Sequence, residues 1–311
     1  MKILIAYDGS ECAQAALEDL KIAGLPQTAE AFVITLADVI LPPANEDAGG
    51  GSPAHMPEGV RRAYERGEQK LKQAESLAKE ASEQIKKRFP DWQVRGEALA
   101  DSPAWAIIRT AEMWKPDLIV MGAQGHSVLG GRLILGSVSQ RVLYEAKSSV
   151  RVARGKERHA KSPLRLLIGI DNSQYSNAAV ESVRRRQWPQ GTEARLLAVV
   201  DTVMPVTPDP AQPQVLKWIE VDEEENWEQV RQVFQPLADK LTAAGLDAAV
   251  MIRRGNPTNE LLDEAESWGA DCIFLGPKGT RGIDRLLLGS VSSAVAARAH
   301  CSVEVVRTSE S

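Results

Sequence analysis

Aromatic residues are scarce in this chain of 311: four tyrosines, four phenylalanines and seven tryptophans, 5% in all. Any core must therefore be mainly aliphatic, and a 43% hydrophobic content is ample for one. Cysteine is equally sparse. Cys12, Cys272 and Cys301 form no close pair, which excludes a disulfide framework and fits a reducing cytoplasm; each reads as a small buried apolar residue. His55, His126, His159 and His300 lie far apart and show no metal-ligand spacing. Positive charge is not in excess. A net charge of −5 argues against nucleic acid and against an anionic membrane surface as main partners. No apolar run approaches the roughly 18–20 residues that cross a bilayer, and the opening Met1–Ala6 reaches Asp8 too soon for a signal peptide. The expectation is a cytoplasmic globular protein, long enough for two domains.

What the chain does contain, it contains twice. Lys2-Ile-Leu-Ile-Ala-Tyr-Asp8-Gly-Ser10 returns as Arg165-Leu-Leu-Ile-Gly-Ile-Asp171-Asn-Ser173. Asp117-Leu-Ile-Val-Met-Gly122 returns as Asp271-Cys-Ile-Phe-Leu-Gly276. Arg132-Leu-Ile-Leu-Gly-Ser-Val-Ser139 returns as Arg285-Leu-Leu-Leu-Gly-Ser-Val-Ser292, and the closing Ser149–Ala153 is echoed by Ser302–Val306. Trp114 and Trp268 match, each just before a strand. The charged stretch Arg154–Pro163 has no apolar periodicity and reads as a linker, giving domains at 1–155 and 164–308 joined by 156–163.

Each half alternates strands with helices. Short continuous apolar runs (Ile3–Ala6, Leu118–Met121, Leu166–Ile170, Ile273–Leu275) suit strands covered on both faces, as in a parallel sheet. Ser10 or Glu11 opens a helix through about Ala23, and Ser173 opens its counterpart, each serine placed as an N-cap. A long amphipathic helix follows Pro57, with Val60, Tyr64, Leu71, Ala74, Ala78, Ala81 and Ile85 at helical spacing. Its partner carries Trp227, Val230, Phe234, Leu237 and Leu241, and Pro236 is expected to kink or interrupt it. The alternation predicts two tandem doubly wound α/β domains with right-handed crossovers. The segments from Leu41 to Pro53 and from Pro205 to Pro213 read as lids or as plain surface insertions.

In open parallel sheets ligands bind beyond the carboxyl ends of the strands, where the topology switches direction. Asp8 and Asp171 follow the first strand of each half; Gly122 and Gly276 follow the fourth. Gly276-Pro-Lys278-Gly279 then runs through nine residues to Gly289-Ser290, which opens a helix. Glycines admit a close backbone approach, and the helix N-terminus at Gly289 and Ser290 attracts phosphate; taken singly, Gly276 could equally end a strand and Gly289-Ser290 cap a helix. Lys278 and Arg281 are the cations placed to reach it. Asp171 belongs at the base or ribose end, or is an ordinary turn aspartate. Arg132 and Arg285 suit a structural role as well as a phosphate contact.

Asp171, then Gly-x2-Gly-x9-Gly-Ser, then Val-Ser and a closing strand resembles the universal stress protein family, in a tandem form that covers nearly the whole chain. The resemblance implies a five-stranded parallel sheet flanked by helices in each domain, of the adenine nucleotide alpha hydrolase-like type, and an ATP site at the strand ends, with or without Mg2+. It implies Asp171 and a main-chain group near Val199 at the adenine end, with Gly276, Gly279, Gly289, Ser290 and Val291 around ribose and phosphates. The matching positions of the first half are Asp8, Leu36, Gly122, Gly125, Gly136, Ser137 and Val138. It also implies that closing strands pair, so that the two domains form an intramolecular pseudo-dimer, with a homodimer left open.

The halves differ. Ten residues, not nine, separate Gly125 from Gly136, with an extra one near Gly130-Gly131. The first loop offers Gln124 and His126 where the second offers Lys278 and Thr280, so the second half is expected to be the better nucleotide site. No phosphate-loop, paired-carboxylate or Ser-His-Asp pattern is present. The readings that remain are an ATP-binding regulatory protein, a slow ATP hydrolase or self-phosphorylating protein, and an interaction or chaperone-like protein with empty sites.

Overall fold

The computed structural model describes residues 1–39, 58–124, 135–155, 162–200, 223–278 and 288–308. They form two compact units, one mainly from residues 1–153 and the other mainly from 154–311. The segments Leu41–Pro53 and Pro205–Pro213 and most of the linker lie outside the described residues.

The first unit runs β1 (Lys2–Ala6), α1 (Glu11–Asp19), β2 (Glu30–Ala37), α2 (Glu58–Arg88), β3 (Gln93–Ala100), α3 (Pro103–Trp114), β4 (Leu118–Gly122), α4 (Ser137–Glu145) and β5 (Ser149–Ala153). Its strands are all parallel, in the order β3-β2-β1-β4-β5. The second repeats the plan: β6 (Arg165–Ile170), α5 (Gln174–Arg184), β7 (Glu193–Val200), α6 (Glu223–Ala243), β8 (Asp247–Arg254), α7 (Pro257–Trp268), β9 (Cys272–Leu275), α8 (Ser290–Arg298) and β10 (Ser302–Val305). Its order is β8-β7-β6-β9-β10, again parallel. Each half is thus a doubly wound α/β domain, and the direction of winding reverses between its first and fourth strands.

The apolar runs form the strands nearest that reversal. Every residue of β4 and β9 is buried, because helices cover both faces. The core of the second unit is mainly aliphatic, with Leu166, Ile168, Val180, Leu196 and Leu241 beside Phe234 and Phe274. The matched tryptophans serve the opposite end of the sheet from the strand tips. Arg165 donates to the Trp268 carbonyl at 2.7 Å, and its backbone N–H donates to Asp271 at 2.9 Å. Lys2 repeats the second bond to Asp117 at 2.7 Å.

Three helices differ from expectation. α1 stops at Asp19 and is continued by a 3-10 turn over Leu20–Ile22. The apolar stripe of α2 is buried from Ala74 to Ile85 only; Val60 is exposed, because that end of the helix extends past the sheet's cover. α6 continues through Pro236 without interruption. The proline lies on an exposed face, where water can serve the carbonyl that a proline nitrogen leaves without a donor.

Candidate functional site

Both first strands end in the same turn. Gly9 (φ +78°) and Asn172 (φ +62°) take the left-handed conformation, which glycine and asparagine tolerate best. That conformation folds the chain so that Asp8 Oδ1 accepts the Ser10 N–H at 3.0 Å and Asp171 Oδ1 accepts the Ser173 N–H at 3.1 Å. Ser10 and Ser173 are the expected N-caps: their Oγ atoms accept from Ala13 N and Ser176 N, each at 3.1 Å. In the first half the neighbouring Tyr7 hydroxyl donates to Gln14 at 3.2 Å. Burial, with the charges of Glu80 and Asp8, pushes the Tyr7 phenol up.

The fourth strands end against those helices. A Cβ on Gly122 would lie 2.6 Å from the Cys12 carbonyl carbon, and one on Gly276 would lie 2.6 Å from Tyr175 Cβ. Both glycines are therefore required by strand–helix contact, whatever they offer a ligand. Ser139 Oγ donates to the Gly122 carbonyl at 2.8 Å, and Ser292 Oγ to the Gly276 carbonyl at 2.7 Å. The second serine of each Gly-Ser-Val-Ser is thus a tie between helix and strand. Gly136 and Gly289 cap α4 and α8; having no side chain, they satisfy none of the first-turn N–H groups. Ser137 and Ser290 are exposed at the first helical position.

Gly136 N donates to Ala123 O at 2.8 Å and Gly289 N to Pro277 O at 2.6 Å, so the two loops are pinned alike at both ends. The extra residue of the first loop falls between those ends. Gly125, His126, Gly130, Gly131 and Arg132, with Gly279, Thr280, Arg281 and Arg285, lie outside the described residues.

In the second unit a cavity of about 1170 Å³ opens over the strand tips at the reversal point. The sequence-named residues Asp171, Val199, Gly276, Lys278, Gly289, Ser290 and Val291 all line it. Lys278 is 8% exposed and has no ion-pair or hydrogen-bond partner among the described residues. One wall is apolar, from Val230 and Phe234 of α6, and another carries Asn256, Thr258 and Asn259 at the start of α7. Arg298 adds a cation from the last turn of α8. The cavity thus has an apolar side, a carboxylate at the tip of β6, and a lysine beside a helix N-terminus. That combination suits an anion with an apolar ring system.

Asn256, Asn259, Arg298 and Phe234 had no reading as site residues in the sequence. Asn256-Pro257 carries a helix-start signal, and the Asn256 side chain does accept from Thr258 N at 3.1 Å and Asn259 N at 3.2 Å. Phe234 reads only as part of a core stripe.

The register also fixes the match between halves. Lys2 pairs with Glu30 and Arg165 with Glu193, so Leu36 and Val199 hold the same place on β2 and β7. Asp8, Leu36 and Gly122 end neighbouring strands of the first unit, as Asp171, Val199 and Gly276 do in the second.

The sequence profile of the universal stress protein family matches residues 1–154 and again residues 164–307. The chain therefore belongs to the universal stress protein family, as a tandem of two such domains. A universal stress protein of Mycobacterium bovis is 25% identical over 311 residues, covering 98% of this chain and 94% of its own. One from Mycolicibacterium smegmatis is 29% identical over 224 residues, 69% of each chain. A universal stress protein structure from Archaeoglobus fulgidus superposes with a TM-score of 0.61 at 21% identity, over 99% of this chain and 97% of that one, and shares the fold. Among the described residues no helix is long and apolar enough to cross a membrane.

Proposed function

We propose that the chain is an ATP-binding regulatory protein of the stress response, and that the cavity of the second unit is its principal nucleotide site. The observation that carries this reading is Lys278. This lysine has no partner among the described residues, and it lines the same cavity as the glycine-capped N-terminus of α8, so both are placed to meet one anion. In this reading the polyphosphate lies against Lys278, Gly289 and Ser290. Asp171, a carboxylate that would repel phosphate, accepts from the ribose or base, and the adenine lies by the main chain at Val199 and the apolar wall. The first unit has Gln124 in place of Lys278 and is the weaker site. No group of three or more His, Cys, Asp or Glu stands together among the described residues, so a Mg2+ ion would arrive bound to the phosphates.

Mass spectrometry of the small molecules released from freshly purified, denatured protein is expected to find an adenine nucleotide. Calorimetric titration with ATP checks the placement. Lys278→Met should weaken binding roughly tenfold or more, the worth of a lost charge-assisted hydrogen bond of about 1.5–3 kcal/mol. Unchanged affinity in that variant would remove the assignment.

A further inference from the structure

Two walls of the second cavity have counterparts in the first unit, and three side chains there are different in size and sign. α3 and α7 each have twelve residues and run from a proline to a tryptophan. They also begin with the same bond, Ala106 N to Ser102 O at 2.9 Å and Glu260 N to Asn256 O at 3.0 Å. Residue 105 therefore holds the place of residue 259. α4 and α8 each have nine residues behind a glycine cap. They open with Gln140 N to Gly136 O at 2.8 Å and Ser293 N to Gly289 O at 3.0 Å. That matches Arg141 to Ala294 and Glu145 to Arg298.

Asn259, Ala294 and Arg298 all line the second cavity. Their counterparts Trp105, Arg141 and Glu145 are joined to one another. The Arg141 guanidinium carbon lies over the Trp105 ring, 4.1 Å from its centre, and its Nε donates to Glu145 at 2.9 Å; all three side chains stand half-exposed. An amide and a methyl are thus replaced by an indole and a guanidinium held over it. The charge at the last position is reversed. Arg141 is held over the indole with its Nε on the carboxylate, and its bulk stands where the second unit has a methyl. Glu145 repels a phosphate outright.

We propose that the Trp105–Arg141–Glu145 cluster shuts nucleoside polyphosphates out of the first unit and so confines them to the second. The inference rests on the nucleotide reading of the second cavity and adds three residues to the Gln124 difference that sets the two units apart.

Calorimetric titration of the full chain with ATP tests it. The unsubstituted protein is expected to bind one equivalent. The triple variant Trp105→Asn, Arg141→Ala, Glu145→Arg should bind two. The reciprocal variant Asn259→Trp, Ala294→Arg, Arg298→Glu should lose at least tenfold in affinity, which decides the matter should the first variant fail to fold. Two equivalents in the unsubstituted protein, a triple variant that folds and stays at one, or a reciprocal variant that binds normally would each overturn the inference. In those cases the nucleotide reading survives. No uptake by the unsubstituted protein overturns that reading, and the inference with it.

Discussion

At the tip of β9, Gly276 lies so close to α5 that a single added carbon would stand 2.9 Å from the carbonyl carbon of Tyr175 as well as 2.6 Å from its Cβ. Backbone cannot yield as a flexible side chain can. Gly276→Ala is therefore expected to lower the unfolding free energy by about 1–3 kcal/mol, the usual cost of overpacking. Urea unfolding followed by circular dichroism reads it, and an unchanged midpoint would contradict the contact. A loss of ligand binding in that variant would be secondary to damage at the strand–helix contact. Lys278 behaves in the opposite way. Its ammonium has no partner among the described residues, so Lys278→Met should leave stability unchanged or slightly raised while binding falls. The two substitutions thus separate a residue that holds the site's walls from one that faces its contents. The sequence marked both positions and left the glycine open between ending a strand and meeting a ligand; its distance to Tyr175 shows what fills the space where a side chain would be.

Helices that look alike in the sequence differ in what their ends do. The last turn of α5 carries Arg184, and Arg185 follows it. Both converge on Glu181, Arg184 Nε at 2.7 Å and Arg185 Nε at 2.5 Å. The hydrogen bond from Arg184 is the largest cause that holds the Glu181 carboxyl down at about 2, from 4.5. A depressed carboxyl contributes stability above its unfolded pKa and loses it as pH falls through the folded value. The advantage of wild type over Glu181→Gln should therefore be full above about pH 5, shrink between pH 4.5 and 2, and vanish below. The groups are largely exposed, so the difference in urea midpoint should be small throughout. A difference that grows as pH falls would reverse the assignment. The start of α7 was legible at this scale, since an asparagine followed by a proline predicts a capped helix. That the same asparagine lines a cavity was not, because a cap signal is local and a cavity is made by other elements.

Across the whole molecule, one plan is built twice and furnished differently. Each unit has its own five parallel strands, its own reversal point and its own aspartate at the tip of the first strand. A ligand that binds only the folded second unit must stabilise it by mass action. At a hundredfold excess of ATP over Kd the gain should be about 2.7 kcal/mol. It would be measured as a rise in Tm that grows with the logarithm of ATP concentration. Lys278→Met at the same concentration should gain less. A Tm independent of ATP would sink the proposed function whatever the fold.

The sequence by itself determined the tandem repeat, the aliphatic parallel strands, the serine caps and the positions of the strand-tip aspartates and glycines. Each of these is written in neighbouring residues, in a period or in a spacing repeated between halves. Only the tertiary structure decided that Ser292 is tied to the Gly276 carbonyl, that Gly276 serves a helix, and that Phe234, Asn259 and Arg298 meet Asp171 around one cavity. The same is true of Trp105 and Arg141, which lie 36 positions apart in sequence yet meet, the guanidinium over the indole ring. Such contacts arise because crossovers carry distant segments to the same strand ends, and no local pattern records which of them will meet.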